Sequence, residues 1–184
     1  MARKAIKGDP AKVIEYYDDE MAEMTSNERR IEKRMDEALK NGEFVVYYQP
    51  KYQLRSETIS GAEALVRWRD PEKGLVSPGI FIPIFERDGF IIQLDFFVYE
   101  EVLKDMVKWQ NEGRRPIIVS MNVSRAHIGT ADFLQKLTEL VDSYGVPRNR
   151  LELELTETVL GGKRQDILSF IVSCKRAGFQ ISID

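Results

Sequence analysis

The segment Gly61-Ala62-Glu63-Ala64-Leu65-Val66-Arg67-Trp68 decides the fold. Side chains alternate along a β-strand, so a strand here places Glu63 and Arg67 on one face and only apolar side chains on the other. The run is followed by Asp70-Pro71-Glu72-Lys73-Gly74, whose residue types are typical of a turn. We therefore predict a strand over Ile59–Trp68 with one apolar face.

The same reading along the chain predicts an alternation of strands and helices. The predicted strands are Phe44–Gln49, Ile59–Trp68, Ile117–Val123, Leu151–Thr156 and Phe179–Asp184. The predicted helices are Asn27–Lys40, Phe81–Glu86, Leu94–Asn111, Asp132–Tyr144 and Gln165–Ala177. Repeated βα units indicate a parallel sheet covered by helices, either a (β/α) barrel or an open doubly wound sheet. No glycine-rich phosphate-binding loop follows any predicted strand, which weakens the open nucleotide-binding sheet and favours the barrel.

The composition narrows the class of protein. A chain of 184 residues with 43% hydrophobic and 31% charged residues fits one globular domain with a real core. Its net charge of -3 provides no basic surface for duplex nucleic acid. One cysteine and one histidine exclude an internal disulfide and a zinc site built from such side chains. We expect Cys174 to be an inert buried thiol and His127 to lie at the surface or to cap a helix.

The sequence predicts a cytoplasmic location. No apolar run approaches the ~18 residues that cross a bilayer. The N-terminal residues lack the apolar stretch of a signal peptide. We therefore expect no membrane contact in this segment, although a longer parent protein could carry an anchor.

Four predicted strands carry an oxygen-bearing side chain in or near their C-terminal halves. These residues are Glu63, Asn122, Glu154 and Asp184. In a parallel barrel such strand ends converge on one mouth. Carboxylates placed together repel unless a cation holds them, and all-oxygen ligation suits Mg²⁺, Mn²⁺ or Ca²⁺. An acidic residue at a strand end is often only solvated, so the pattern alone leaves a metal site and a solvated rim as alternatives.

Five sequence blocks decide between a metal site and a solvated rim. They are Tyr48-Gln49-Pro50, the Gly61–Trp68 run, Ser77-Pro78-Gly79-Ile80-Phe81-Ile82-Pro83, Met121-Asn122-Val123-Ser124 and Leu151-Glu152-Leu153-Glu154-Leu155-Thr156-Glu157. In this order and spacing the chain resembles the EAL-domain family of cyclic di-GMP phosphodiesterases from about Glu43 to Asp184. The resemblance implies a (β/α)8 TIM-type barrel whose first strand runs against the others, here truncated to about its first five strands. It also implies hydrolysis of cyclic di-GMP to the linear dinucleotide with Mg²⁺ or Mn²⁺.

The resemblance assigns roles to eight residues. Metal ligands are expected at Glu63, Asn122, Glu154 and Asp184, and Glu63 and Asp184 are expected to be catalytic as well. Gln49 and Leu65 match positions that line the substrate groove, and Arg67 matches a residue that contacts a substrate phosphate. Glu157 matches a glutamate that braces a mobile loop near a dimer interface, so a homodimer is expected.

The resemblance also divides the chain. Residues 43–184 are interpreted as an EAL domain that is incomplete at its C-terminus. Residues 1–42, with a short strand at Val13–Tyr17, are interpreted as an N-terminal segment and linker helix like those that follow a GGDEF (diguanylate cyclase) domain, or as an ordinary charged linker. The family continues beyond Asp184 with a second aspartate, a lysine and a distal glutamate. We therefore expect these 184 residues alone to be inactive and to hide the edge of the last strand, for example by dimerisation.

Two other functions are compatible with the sequence. One is a cyclic di-GMP-binding or regulatory module that does no chemistry. The other is a scaffold piece whose linker helix mediates dimers.

Overall fold

The structure is a computed structural model that describes residues 19–55, 57–130, 132–155 and 164–183, with side chains from residue 24 onward. The predicted strand at Val13–Tyr17 lies outside these residues, as do Glu157 and Asp184. No helix within the described ranges is long and apolar enough to cross a membrane.

Each of the five predicted helices, and each of the five predicted strands from Phe44 onward, has a counterpart in the structure. The helices are α1 Asp19–Lys40, α2 Pro78–Asp88, α3 Ile91–Asn111, α4 Phe133–Ser143 and α5 Arg164–Arg176. The strands are β1 Phe44–Gln53, β2 Thr58–Asp70, β3 Gly74–Val76, β4 Ile118–Val123, β5 Leu151–Leu155 and β6 Gln180–Ile183. Short 3₁₀ helices lie at Arg125–His127 and Arg148–Arg150.

Two boundaries differ from the prediction by at least four residues. Helix α1 begins at Asp19 rather than Asn27, because the Glu, Met and Ala residues before Asn27 are strong helix formers. Strand β1 runs through Pro50 to Gln53, although the predicted strand ends at Gln49. Its pairing register is nevertheless continuous from Phe44 to Lys51, since proline is tolerated in a strand at the edge of a sheet.

The strand order β1-β2-β4-β5-β6 follows the chain. Strand β1 is antiparallel to β2, while β2, β4, β5 and β6 are parallel to one another. Strand β3 forms a hairpin with β2. A doubly wound sheet reverses its strand order at a switch point, and this sheet does not. The topology is therefore the one predicted for the first five strands of a barrel with a reversed first strand.

Two apolar clusters cover the outer face of the sheet. The larger lies between the sheet and helices α3, α4 and α5, and it includes Val119, Met121 and Leu153. The smaller surrounds Trp68, with contributions from α1 and α2. Cys174 of α5 is buried in the larger cluster, so the prediction of a buried thiol is confirmed, and burial raises the pKa of this thiol to about 12.

Two arginines of helix α1 form hydrogen bonds with Asp70, at the turn between β2 and β3. Arg30 Nη1 and Arg34 Nη1 donate to Asp70 Oδ2 at 2.8 and 2.6 Å. The backbone N–H groups of Glu72 and Lys73 donate to its other oxygen at 2.8 and 2.9 Å. Burial acts to raise the pKa of Asp70, but these backbone bonds and Arg30 lower it on balance, so the carboxylate stays charged under the helix.

Gly61 sets how closely β2 approaches β4. A Cβ atom at this position would lie 2.7 Å from the backbone oxygen of Ile118, its register partner. Only glycine therefore fits without moving one strand, and the spacing of the two strands depends on it.

Gly61→Ala should lower the free energy of unfolding by about 1–3 kcal/mol, because the backbone contact forces the strands apart. Gly79→Ala is the matched control, since a Cβ there meets only the Ser77 hydroxyl at 3.8 Å. At this helical position alanine should be neutral or stabilising by up to about 1 kcal/mol. Urea unfolding of both variants checks this, and equal stability of Gly61→Ala and the parent chain would contradict it.

Candidate functional site

The inner face of the sheet, opposite the helices, carries two rows of polar side chains. Residues paired in register on parallel strands lie side by side on the same face. The first row consists of Glu63, Ser120, Glu152 and Gln180. The second row, closer to the C-terminal ends of the strands, consists of Asn122, Glu154 and Ser182. Polar groups of four successive strands therefore meet on one surface.

The structure brings together three of the predicted metal ligands. Asn122 Nδ2 donates to Glu63 Oε1 at 3.1 Å. Burial raises the pKa of Glu154, and the nearby charge of Glu63 raises it further. Two carboxylates and an amide thus lie together in a position where a bound cation would relieve the repulsion. Asp184, the fourth predicted ligand, lies outside the described residues.

Lys51 is a member of this site that the sequence analysis missed. Its ammonium donates to Ser120 Oγ at 2.7 Å, to Glu152 Oε1 at 3.1 Å and to Glu154 Oε2 at 3.4 Å. The predicted strand ends at Gln49, before Pro50, and so does not include Lys51. Alternation through the proline is the signal that could have found it, since Gln49 and Lys51 then share a face.

The sequence analysis assigns no role to Glu152, although alternation along the strand places it on the same face as Glu154. Its Oε1 accepts hydrogen bonds from Ser120 at 2.7 Å and Ser182 at 3.1 Å as well as from Lys51. Burial acts to raise its pKa, but the bonds from Ser120 and Lys51 lower it on balance. Neighbouring glutamates on one strand therefore have pKa values shifted in opposite directions. We call Lys51, Glu63, Ser120, Asn122, Glu152, Glu154 and Ser182 the inner-face cluster.

The residues predicted to bind substrate lie on β1 and β2. Gln49 is exposed and is the register partner of Glu63. Leu65 and Arg67 are half-buried and follow Glu63 on the same strand face. Arg67 Nη1 donates to the carbonyl of Val66 at 2.8 Å. Glu157 lies outside the described residues.

The prediction that His127 is a surface or capping residue is wrong. The residue is 2% exposed, and its Nε2 lies 2.9 Å from Asp95 Oδ2. Its ring lies 4.3 Å from that of Phe133, between centroids. The 3₁₀ turn after β4 folds the ring back against α3 and α4, so His127 ties the strand that carries Asn122 to the helical layer.

The donor chemistry of the cluster is compatible with a hard divalent cation. Within the described ranges, no group of three His, Cys, Asp or Glu side chains is placed to hold a metal ion. The three assembled predicted ligands are instead two carboxylates and one amide, all offering oxygen. That set fits Mg²⁺ or Mn²⁺, which need only a few protein oxygens and otherwise keep water or phosphate oxygens as ligands.

Comparison with known proteins gives consistent matches. The family model described as EAL domain matches residues 32–184. A cyclic di-GMP phosphodiesterase of Pseudomonas aeruginosa is 32% identical over 141 residues, which cover 77% of this chain and 24% of that protein. The cyclic di-GMP phosphodiesterase PdeR of Escherichia coli is 30% identical over 154 residues, which cover 84% of this chain and 23% of that protein.

The fold matches solved structures as well. The phosphodiesterase PaMucR in complex with c-di-GMP has a TM-score of 0.79 at 28% identity, covering 84% of this chain and 63% of that chain. This likeness and the strand order confirm the α/β fold of the TIM-type barrel class. The chain spans about a quarter of the length of the first curated relatives that it matches.

Glu154→Gln and Glu152→Gln should change stability in opposite directions at neutral pH without added metal. The raised pKa of Glu154 means that its ionisation opposes folding, so Glu154→Gln should stabilise the chain. The lowered pKa of Glu152 means that its ionisation favours folding, so Glu152→Gln should destabilise it.

Thermal unfolding between neutral pH and about pH 3, which extends below the ordinary pKa of glutamate, measures both effects. As the pH falls, the parent chain protonates both carboxyl groups, so both differences should shrink. The Glu154→Gln difference shrinks first, because the folded-state pKa of Glu154 is the higher of the two. The same sign for both variants at neutral pH would contradict the arrangement.

Proposed function

Because the chain belongs to the EAL domain family, we propose that it serves the metal-dependent hydrolysis of cyclic di-GMP to the linear dinucleotide. The observation that carries the proposal is the inner-face cluster. It gathers Glu63, Asn122 and Glu154 on one surface in a fold shared with proteins named cyclic di-GMP phosphodiesterases. The proposal covers the activity, the substrate and the cation.

Glu63, Asn122 and Glu154 would hold Mg²⁺ or Mn²⁺, with Asp184 as the fourth donor. When bound, the cation supplies Lewis-acid stabilisation of charge on the phosphate oxygens. The protein's own contribution is placement. The hydrogen bond from Asn122 orients the Glu63 carboxylate, and the parallel register keeps Glu154 beside it.

Gln49, Leu65 and Arg67 would form the substrate groove above this cation. Arg67 supplies a guanidinium on the same strand face as Glu63, which suits a phosphodiester oxygen. Leu65 offers an apolar surface between the two charged residues, and Gln49 offers an amide from the neighbouring strand.

A cyclic di-GMP-binding module without chemistry is the second candidate. It is favoured by Lys51, whose ammonium already gives the carboxylate of Glu154 a cationic partner at 3.4 Å. In such a module the groove would bind the dinucleotide while the lysine takes the place of a metal ion. Dinucleotide binding that Mg²⁺ does not strengthen distinguishes this candidate from the phosphodiesterase, and a scaffold piece would bind no dinucleotide.

Further parts of the proposal concern assembly. We propose a homodimer, with Glu157 bracing a loop near its interface, and a cytoplasmic location. Residues 1–42 are proposed to be the linker that follows a GGDEF domain and residues 43–184 the EAL domain. The end of the proposed linker packs against the EAL domain, since Ile31 and Ala38 of α1 are buried in the smaller apolar cluster. The family match accordingly begins within this linker, at residue 32.

Calorimetry with cyclic di-GMP, with and without Mg²⁺, tests the proposed function. We expect binding that strengthens with the cation, and Arg67→Ala should weaken dinucleotide binding about 10-fold or more while leaving cation binding unchanged. Glu63→Gln should weaken cation binding by at least about 10-fold. The control is Arg114→Ala, which removes an exposed arginine at the other end of the sheet, paired only with Glu112 among the described contacts.

A turnover assay with Mn²⁺ on the same samples tests the chemistry. We expect these 184 residues alone to bind the dinucleotide without cleaving it, and turnover at an ordinary enzymatic rate would contradict this expectation. Absence of both cation and dinucleotide binding would contradict the proposed function itself.

A further inference from the structure

Lys51 provides a positive charge within the proposed metal site. Its ammonium contacts one hydroxyl and two carboxylates, those of Ser120, Glu152 and Glu154. The lysine side chain is 40% exposed, whereas those of Glu152 and Glu154 are 21% and 10% exposed. The ammonium therefore reaches from the open side of the face toward two largely buried acids, where its charge is less screened than at a free surface.

The net formal charge of the inner-face cluster is equal and opposite to that of one divalent cation only because Lys51 is present. Its three carboxylates and one ammonium leave a formal charge of -2. Lys51 lies closer to Glu152 than to Glu154, and Glu152 also accepts bonds from two serines. The ammonium thus balances Glu152, which leaves Glu63 and Glu154 for a cation.

We propose that Lys51 is the resident counter-ion of this site, a positioning residue that keeps Glu152 out of metal coordination and weakens cation binding at Glu154. The inference rests on the proposed function, in which Glu63, Asn122 and Glu154 hold Mg²⁺ or Mn²⁺. A divalent cation beside Glu154 is repelled by the ammonium that contacts the same carboxylate. Lys51 therefore sets how tightly the site binds its cation, and it stabilises the acids when no cation is bound.

Lys51→Met removes the charge while keeping most of the side-chain volume. The cluster then carries a formal charge of -3, so Mn²⁺ should bind about 10-fold more tightly, which corresponds to about 1.4 kcal/mol. Lys51→Arg keeps the charge and should bind Mn²⁺ within about 3-fold of the parent chain. Lys51→Met combined with Glu152→Gln returns the formal charge to -2, so its affinity should return close to that of the parent.

The measurement is Mn²⁺ affinity by electron paramagnetic resonance or calorimetry on the 184-residue chain, with circular dichroism as the check on folding. Lys51→Gln, which retains hydrogen-bonding capacity, replaces Lys51→Met if the latter does not fold. Tighter binding that the double variant reverses supports the proposal. It is also supported if Lys51→Met binds Mn²⁺ and the parent chain does not.

Two outcomes would overturn the inference, and they have different consequences for the proposed metal site. If the parent chain binds Mn²⁺ and Lys51→Met binds it equally or more weakly, Lys51 is not a competing counter-ion, while the proposed metal site remains. If neither the parent nor any Lys51 variant binds Mn²⁺, the proposed metal site fails and this inference fails with it.

Discussion

The parallel register of β2, β4, β5 and β6 is the constraint on which the rest of the structure depends. Side chains alternate with a period of two, so a slip of one residue would turn Glu63 or Glu154 into the helical layer and an apolar residue onto the inner face. Burying an unpaired carboxylate there would cost several kcal/mol. The close approach at Gly61 and the apolar cluster behind β4 and β5 both favour the observed register.

The same register creates an electrostatic problem that the chain resolves locally. Acids from neighbouring strands are forced side by side, which raises the free energy of the folded state unless a positive charge is near. Lys51 and the serines stabilise the ionised form of Glu152. The ionised form of Glu154 remains less favourable, because burial raises the pKa of its carboxyl group. Glu152 thus contributes to folding stability, whereas the proposed role in cation binding falls to Glu154, two residues further along β5.

Much of the fold could be predicted from the sequence, because the alternation of side chains along a strand is a local property. The five barrel strands, and the shared strand faces that bring Glu63 and Asn122 together, follow from periodicity. Lys51 and His127 could not be assigned correctly, since one follows a proline that ordinarily ends a strand and the other depends on a 3₁₀ turn that directs its ring inward. Strand β3 is three residues long and has no periodicity to detect. The roles of Asp184 and Glu157 stay predictions, as do those of the groove residues.

The reactivity of Cys174 reports how often helix α5 separates from the sheet. It is the only cysteine among the 184 residues, and its thiol is buried with a pKa near 12. A thiol reagent can react with it only when α5 separates from the sheet, because the thiolate is the reactive form and forms readily only in water. Labelling rates would therefore measure how often this helix detaches under native conditions. The carbonyl of Cys174 accepts the backbone N–H of Phe179, just before β6, so the measurement bears on the strand as well as the helix.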